Sequence, residues 1–239
     1  MAAGRSILGG MTRPSAHPFV RLTPDVVIEA IEALGLDSDG RILALNSYEN
    51  RVYQVGIDGA EPVVAKFYRP ARWTDAQILE EHAFTQELAD AEVPAVPPLA
   101  FGGRTLHPHG GHRFAVYPRR GGRAPELEDR SVREWLGRFI GRIHAVGSRQ
   151  PFAQRPALDV ESFGVEPRDY VLASRWLPPE LREVYAGVSA QALDEVRRSF
   201  ERAGQVRAIR LHGDVHVGNV LWTDSGVQPG PHFVDFDDA

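Results

Sequence analysis

Near the end of the chain, two aspartates and an asparagine have the types and spacing for metal-assisted group transfer. Asp214 lies in His212-Gly213-Asp214-Val215-His216-Val217-Gly218-Asn219, so a carboxylate is followed five residues later by a carboxamide. Asp235 follows in Phe233-Val234-Asp235-Phe236-Asp237-Asp238. Phosphoryl transfer from ATP needs such a set: a base for the attacking hydroxyl, then an amide oxygen and a carboxylate to hold magnesium on the phosphates. On that reading Asp214 and Asp235 are the catalytic candidates, and Asn219 and Asp235 are the metal-ligand candidates. Taken singly, each has an ordinary explanation, because Asp and Asn are common turn formers. The compound pattern, Asp-x-x-x-x-Asn, then an apolar run, then Asp-Phe-Asp, favours chemistry. Ile209 and Leu211 before the segment, and Val220, Leu221 and Trp222 after it, predict a loop held between two buried strands.

Other elements must deliver the remaining charge. Val52 to Ile57 alternates with period two, Asp58-Gly59 is a hairpin signal, and Pro62 to Tyr68 is the return strand. Lys66 sits deep in that return strand, where a charge is costly unless matched. Taken alone, an edge-strand lysine with its head in solvent explains it as well. A helix is predicted from Thr74-Asp75 to about Asp90, with Ile78, Glu81, Phe84 and Leu88 near one face. Glu81 is the candidate partner of Lys66. Glu80 competes, but Glu81 lies two turns before Leu88 and shares its face. Solvent-facing glutamates are the ordinary alternative for both.

The rest of the chain reads as scaffold. Thr23-Pro24 opens a helix that Gly35 stops. Strands are expected at Ile42 to Leu45, Leu99 to Phe101 and His112 to Tyr117, with His107 and His109 in a solvated turn. Pro118 to Arg123 reads as a hinge. Ser131 to Gly147 is the clearest helix, with Ser131 and Glu134 as a capping box and His144 on its buried stripe. Pro151 to Pro179 reads as irregular, with Tyr170 and Trp176 packed. A further helix over about Glu180 to Ala203 turns Leu193, Val196 and Phe200 inward.

The whole chain of 239 residues is long enough for one large domain or two small lobes. Its 27 Lys plus Arg against 32 Asp plus Glu, net −5, argues against a nucleic-acid binder that works by neutralising phosphates. There is no cysteine, hence no disulfide framework or thiolate metal site, which suits a reducing compartment. No apolar run approaches the roughly 18 residues that span a bilayer. The Gly-rich start, with Met1 and Met11 both candidate initiators, predicts a disordered or extended stretch over residues 1–21.

Lys66, the helix carboxylate, His212-Gly213-Asp214 with Asn219, and Asp235-Phe236-Asp237 occur in one order. Together they resemble the aminoglycoside phosphotransferase and choline kinase branch of the protein-kinase-like superfamily. Leu45 to Gln54, Lys66 to Pro70, Gln77 to His82, Leu211 to Asp214 and Phe233 to Ala239 are closer still to the bacterial stress-response protein kinases of that branch. The resemblance implies an α+β, two-lobed fold of aminoglycoside phosphotransferase type: an N-lobe over residues 22–118 and a mainly helical C-lobe over 119–239. That C-lobe would be truncated, because family members continue beyond the metal loop. The implied protein is a cytoplasmic, monomeric, ATP- and magnesium-dependent Ser/Thr kinase. Asp214 would be its base, Asn219 and Asp235 would hold magnesium, Lys66 would grip the phosphates, and Ser47 would lie over ATP. Asn46 to Arg51 stands where protein kinases carry a Gly-rich loop. Small-molecule kinases share this machinery, so an aminoglycoside, amino alcohol or sugar acceptor stays open, as does a non-catalytic nucleotide-binding chain.

Overall fold

A computed structural model describes residues 18–224 and 229–239. These divide into two compact units. The first comprises residues 18–82 with Val96–Gly121, and the second Ala83–Ala95 with Gly122–Ala239. The division therefore falls inside one helix and between Gly121 and Gly122.

The first unit is a five-stranded antiparallel sheet with one helix packed on it. Helix α1 (Pro24–Glu32) starts where Thr23 accepts a hydrogen bond from the Val26 amide, and Pro24 occupies its first turn. It buries Val27, Ala30 and Ile31 against the sheet residues Val55, Val63, Ala65, Phe67, Phe114 and Val116. The strands are β1 (Ser38–Leu45), β2 (Arg51–Ile57), β3 (Ala60–Phe67), β4 (His107–His109) and β5 (His112–Pro118), in the order β1-β2-β3-β5-β4. β2 and β3 join at Asp58-Gly59, with Ile57 opposite Ala60 and Gly59 at φ 64°. The period of two puts Ala65 and Phe67 on the face covered by α1, and Lys66 and Tyr68 on the other.

Three expectations about this unit need correction. Leu99 to Phe101 is not a strand: Leu99 donates one hydrogen bond to Val116, and Phe101 pairs only with Arg104. The strand beside β5 is β4, so His107 is not in a solvated turn. His107 and His112 are both buried, among Phe19, Phe67, Phe101 and Phe114. Of the stretch expected to be disordered or extended, residues 18–21 form a turn with Phe19 buried in the core, and residues 1–17 lie outside the described residues.

Helix α2 (Asp75–Asp90) contributes its first half to the first unit and its second half to the other. Ile78 packs with Tyr68 and Ala115. Phe84 and Leu88 join Val132, Leu136, Ile143 and Val146 of α3 (Arg130–Gly147), with Val220, Phe233 and Phe236, in the core of the second unit. That unit also contains α4 (Glu166–Ala173), α5 (Arg182–Ala203) and a two-stranded antiparallel sheet, β6 (Val220–Thr223) with β7 (Gly230–Phe233).

Here too the structure corrects the sequence. Asp129, not Ser131, caps α3, accepting from the Ser131 amide at 2.7 Å, while Glu134 pairs with Arg130. His144 is exposed. The segment expected to be irregular holds a π-helical turn (Glu161–Val165) and α4. Of the α5 residues expected to face inward only Leu193 is buried, whereas Val196 and Phe200 are more than 40% exposed. Tyr170 and Trp176 are exposed as well. No strand precedes the His212 segment. Arg210 instead donates from its backbone to the Gly147 carbonyl, so close that a side chain at Gly147 would overlap that backbone.

Candidate active site

The second unit builds a site from two loops that hold each other. His212 is buried and its ring lies against Phe236, centroids 4.2 Å apart. Its Nδ1 accepts from the Asp214 amide at 3.4 Å, so its proton sits on Nε2, which donates to the Val234 carbonyl at 2.9 Å. Burial pulls the His212 pKa down and keeps the ring neutral. One imidazole thus fastens the Asp214 loop to the Asp235 loop. Gly213, at φ 84°, makes the turn between His212 and Asp214, and a methyl group there would collide with the Asp238 carbonyl.

Asn219 closes the arrangement. Its side-chain NH2 donates to the Asp214 carbonyl at 3.0 Å and lies 3.4 Å from Asp214 Oδ2. Its own carbonyl accepts from the Val234 amide at 3.1 Å, next to Asp235. Asp235 adopts φ 60°, a left-handed conformation that is costly for a residue with a side chain and persists only where its surroundings enforce it. The structure therefore ties Asp214 and Asn219 to each other and to Val234, the residue before Asp235. With its NH2 committed to Asp214, Asn219 keeps an amide oxygen that could bind a cation, and the Asp235 carboxylate is the candidate second donor. Two hard oxygens suit magnesium, which takes its remaining ligands from phosphate and water. Among the described residues no group of three His, Cys, Asp or Glu side chains could hold a metal without such help.

The other three candidates belong to the first unit. Lys66 on β3 is 6% exposed and Glu81 on α2 is 2% exposed, whereas Glu80 is half-buried. Both charges belong to one buried cluster. The Lys66 ammonium lies 5.4 Å from the Tyr68 ring centroid. The Tyr68 hydroxyl meets His82 Nε2 at 2.7 Å, and that nitrogen is 3.7 Å from Glu81 Oε2. Ser47 is half-buried in the β1–β2 loop.

Several contributors escaped the motif reading. Asn50 is buried and its Oδ1 accepts from the Arg69 amide at 3.0 Å, while Glu49 pairs with Arg69 at 2.5 Å and Arg72 at 3.6 Å. These bonds tie the Ser47 loop to the chain leaving β3. The shared Asn-Ser-Tyr-Glu-Asn-Arg stretch held that signal, but nothing in its spacing named Arg69 as the partner. Arg155, from the Pro-rich segment, is buried and donates to the carbonyls of Asp237 and Ala239. No sequence pattern marks it. Arg210 is buried across the Phe84 ring and bonds both Glu87 oxygens, at 3.2 and 2.7 Å.

Residues 41–239 match the phosphotransferase enzyme family, to which the chain belongs. Among its relatives is stress response kinase A of Escherichia coli O157:H7, 41% identical over 225 residues. Another is the serine/threonine protein kinase RdoA of Salmonella typhimurium, strain LT2, 39% identical over 225 residues. Each alignment covers 94% of this chain and 66% of the relative, so the chain spans about two thirds of their length. The fold is that of the amicoumacin kinase hAmiN, solved with AMP-PNP, Ca2+ and amicoumacin: TM-score 0.68 and 19% identity, over 90% of this chain and 64% of that one. It is also that of a microcompartment-associated aminopropanol kinase: TM-score 0.66 and 24% identity, over 89% and 69%. These neighbours share the α+β architecture expected from the sequence.

Proposed function

We propose that this chain transfers the γ-phosphoryl group of ATP to a Ser or Thr hydroxyl of a protein. The observation that carries the reading is the bonded network of Asp214, Asn219 and the Asp235 loop. The name of one relative at 39% identity, a serine/threonine protein kinase, supports a protein acceptor, and autophosphorylation is part of the same proposal. In the reaction the Asp214 carboxylate accepts the proton of the acceptor hydroxyl as its oxygen bonds to the γ-phosphorus and the bond to ADP breaks. Asn219 and Asp235 hold magnesium, which when bound neutralises charge on the phosphates. Lys66 grips the nucleotide phosphates, Glu81 keeps the lysine charged and fixed, and Ser47 contacts ATP from the β1–β2 loop. The same reading makes the protein a cytoplasmic monomer. No described helix is long and apolar enough to cross a membrane.

A small-molecule acceptor is the second reading. The kinases that share this fold include an amicoumacin kinase and an aminopropanol kinase. Labelled ATP supplied with whole-cell lysate, beside an aminoglycoside and amino alcohol panel, separates the two: labelled protein bands support the first, and labelled small molecules alone the second. Asp214→Ala is expected to lower turnover about 10²–10⁴-fold, the size of a general-base contribution, with little change in ATP affinity. Equal turnover in variant and parent refutes the assignment.

A further inference from the structure

His216 sits two residues beyond Asp214 and has no place in the reaction just described. Its geometry is nevertheless specific. The ring accepts a hydrogen bond at Nδ1 from the Gly218 amide, 2.9 Å away, and so caps the short 3-10 turn Val217–Asn219. A ring nitrogen that accepts cannot carry the proton, so the neutral imidazole bears it on Nε2. That nitrogen lies 3.5 Å from Asp214 Oδ2. The Asn219 NH2 is 3.4 Å from the same oxygen. Two nitrogens thus lie on the Oδ2 side of the Asp214 carboxylate. Gly218 makes the arrangement possible, because a side chain there would run into the His216 ring.

Building on the phosphotransfer reading, we propose that His216 is a positioning residue for Asp214. Its Nδ1 locks the ring to the turn, and its Nε2–H holds one carboxylate oxygen so that the other meets the substrate. Donor contacts in a site without substrate are commonly long and tighten when the reacting groups assemble. The cap and the positioning role can be separated, since an asparagine oxygen can also accept from the amide two residues on but offers no donor at the Nε2 position.

The test compares the parent chain with His216→Asn, His216→Ala and Asp214→Ala. His216→Asn is expected to keep the parent's thermal midpoint and ATP KM while kcat falls about tenfold, the order expected for one hydrogen bond to a charged group. His216→Ala is expected to lose stability as well. Parental kcat in His216→Asn, with turnover lost in Asp214→Ala, overturns the role of His216 and leaves Asp214 as the base. Undiminished turnover in Asp214→Ala sinks the phosphotransfer reading itself. A readout independent of turnover is the 15N spectrum of histidine-labelled protein. The neutral His216 ring is expected in the Nε2–H form, with its Nε2 resonance moved by Asp214→Asn. An Nδ1–H form, or an Nε2 resonance indifferent to Asp214→Asn, overturns the proposal.

Discussion

Gly213 shows how narrow the tolerance is at single positions. Its φ of 84° suits a residue without a Cβ, and the Asp238 carbonyl occupies the space a methyl group would need. The left-handed backbone alone costs an alanine about 1–2 kcal/mol, and the overlap adds to that. Gly213→Ala is therefore expected to lower the urea midpoint by more than the strain alone and to cut turnover by displacing Asp214. A midpoint equal to the parent's would show that the Asp238 backbone yields freely. At this scale the sequence was informative where an ionisable residue broke an apolar pattern. Lys66 and Glu81 stood out for that reason, and both are buried. Arg155 did not stand out, because its carbonyl partners, Asp237 and Ala239, lie more than eighty residues away.

Helix α3 carries the lesson for elements. Ser131 and Glu134 have capping-box spacing, yet Asp129 stands nearer the first free amides and its short carboxylate takes the Ser131 N–H. The Ser131 hydroxyl, and after it the Ser131 amide, pull the Asp129 pKa down. Asp129→Ala is expected to lower the thermal midpoint, Asp129→Asn to recover most of the loss, and Ser131→Ala to cost less than Asp129→Ala because the backbone cap survives. A larger loss in Ser131→Ala than in Asp129→Ala would reverse the assignment. The existence of α1, α2, α3 and α5 was legible from periodicity, whereas α4 falls in a Pro-rich segment read as irregular, and β2, β3 and their Asp58-Gly59 turn came directly from alternation and turn chemistry. Burial was less legible. α5 has an apolar stripe, but a 3.6-residue period says only that residues share a face, not that anything packs against it. Val184, Val188, Val196 and Phe200 are accordingly exposed despite the stripe.

For the molecule as a whole, buried imidazoles contribute to the response to acid. Burial pulls the pKa values of His107, His112 and His212 below 6.5, the first two in the first unit and the third in the second. Unfolded, each takes a proton near pH 6.5, while the folded chain resists it. Stability is therefore fully present above pH 6.5 and is lost as the pH falls through the depressed folded values. The pKa values of Asp39, Asp129, Asp159 and Asp224 are also lowered, but from 3.8, so their loss comes at more acid pH. Urea midpoints are expected to be lower at pH 5.5 than at pH 7.5, with proton uptake on unfolding near pH 6. Equal midpoints and no uptake would contradict this.

The sequence by itself determined the chemistry available: which acids, amide and ammonium exist, their order, and the local strands and helices that carry them. Those are properties of neighbours along the chain, where side-chain type and period act directly. Only the tertiary structure decided which atoms meet. The His212 ring joining two loops, Asn219 turned toward Asp214, His216 aimed at the same carboxylate, and Asn50 fastened to Arg69 all depend on contacts between separated segments or on ring and amide orientation. Backbone turns and packing set those distances to within a few tenths of an ångström, and residue spacing along a chain does not encode that.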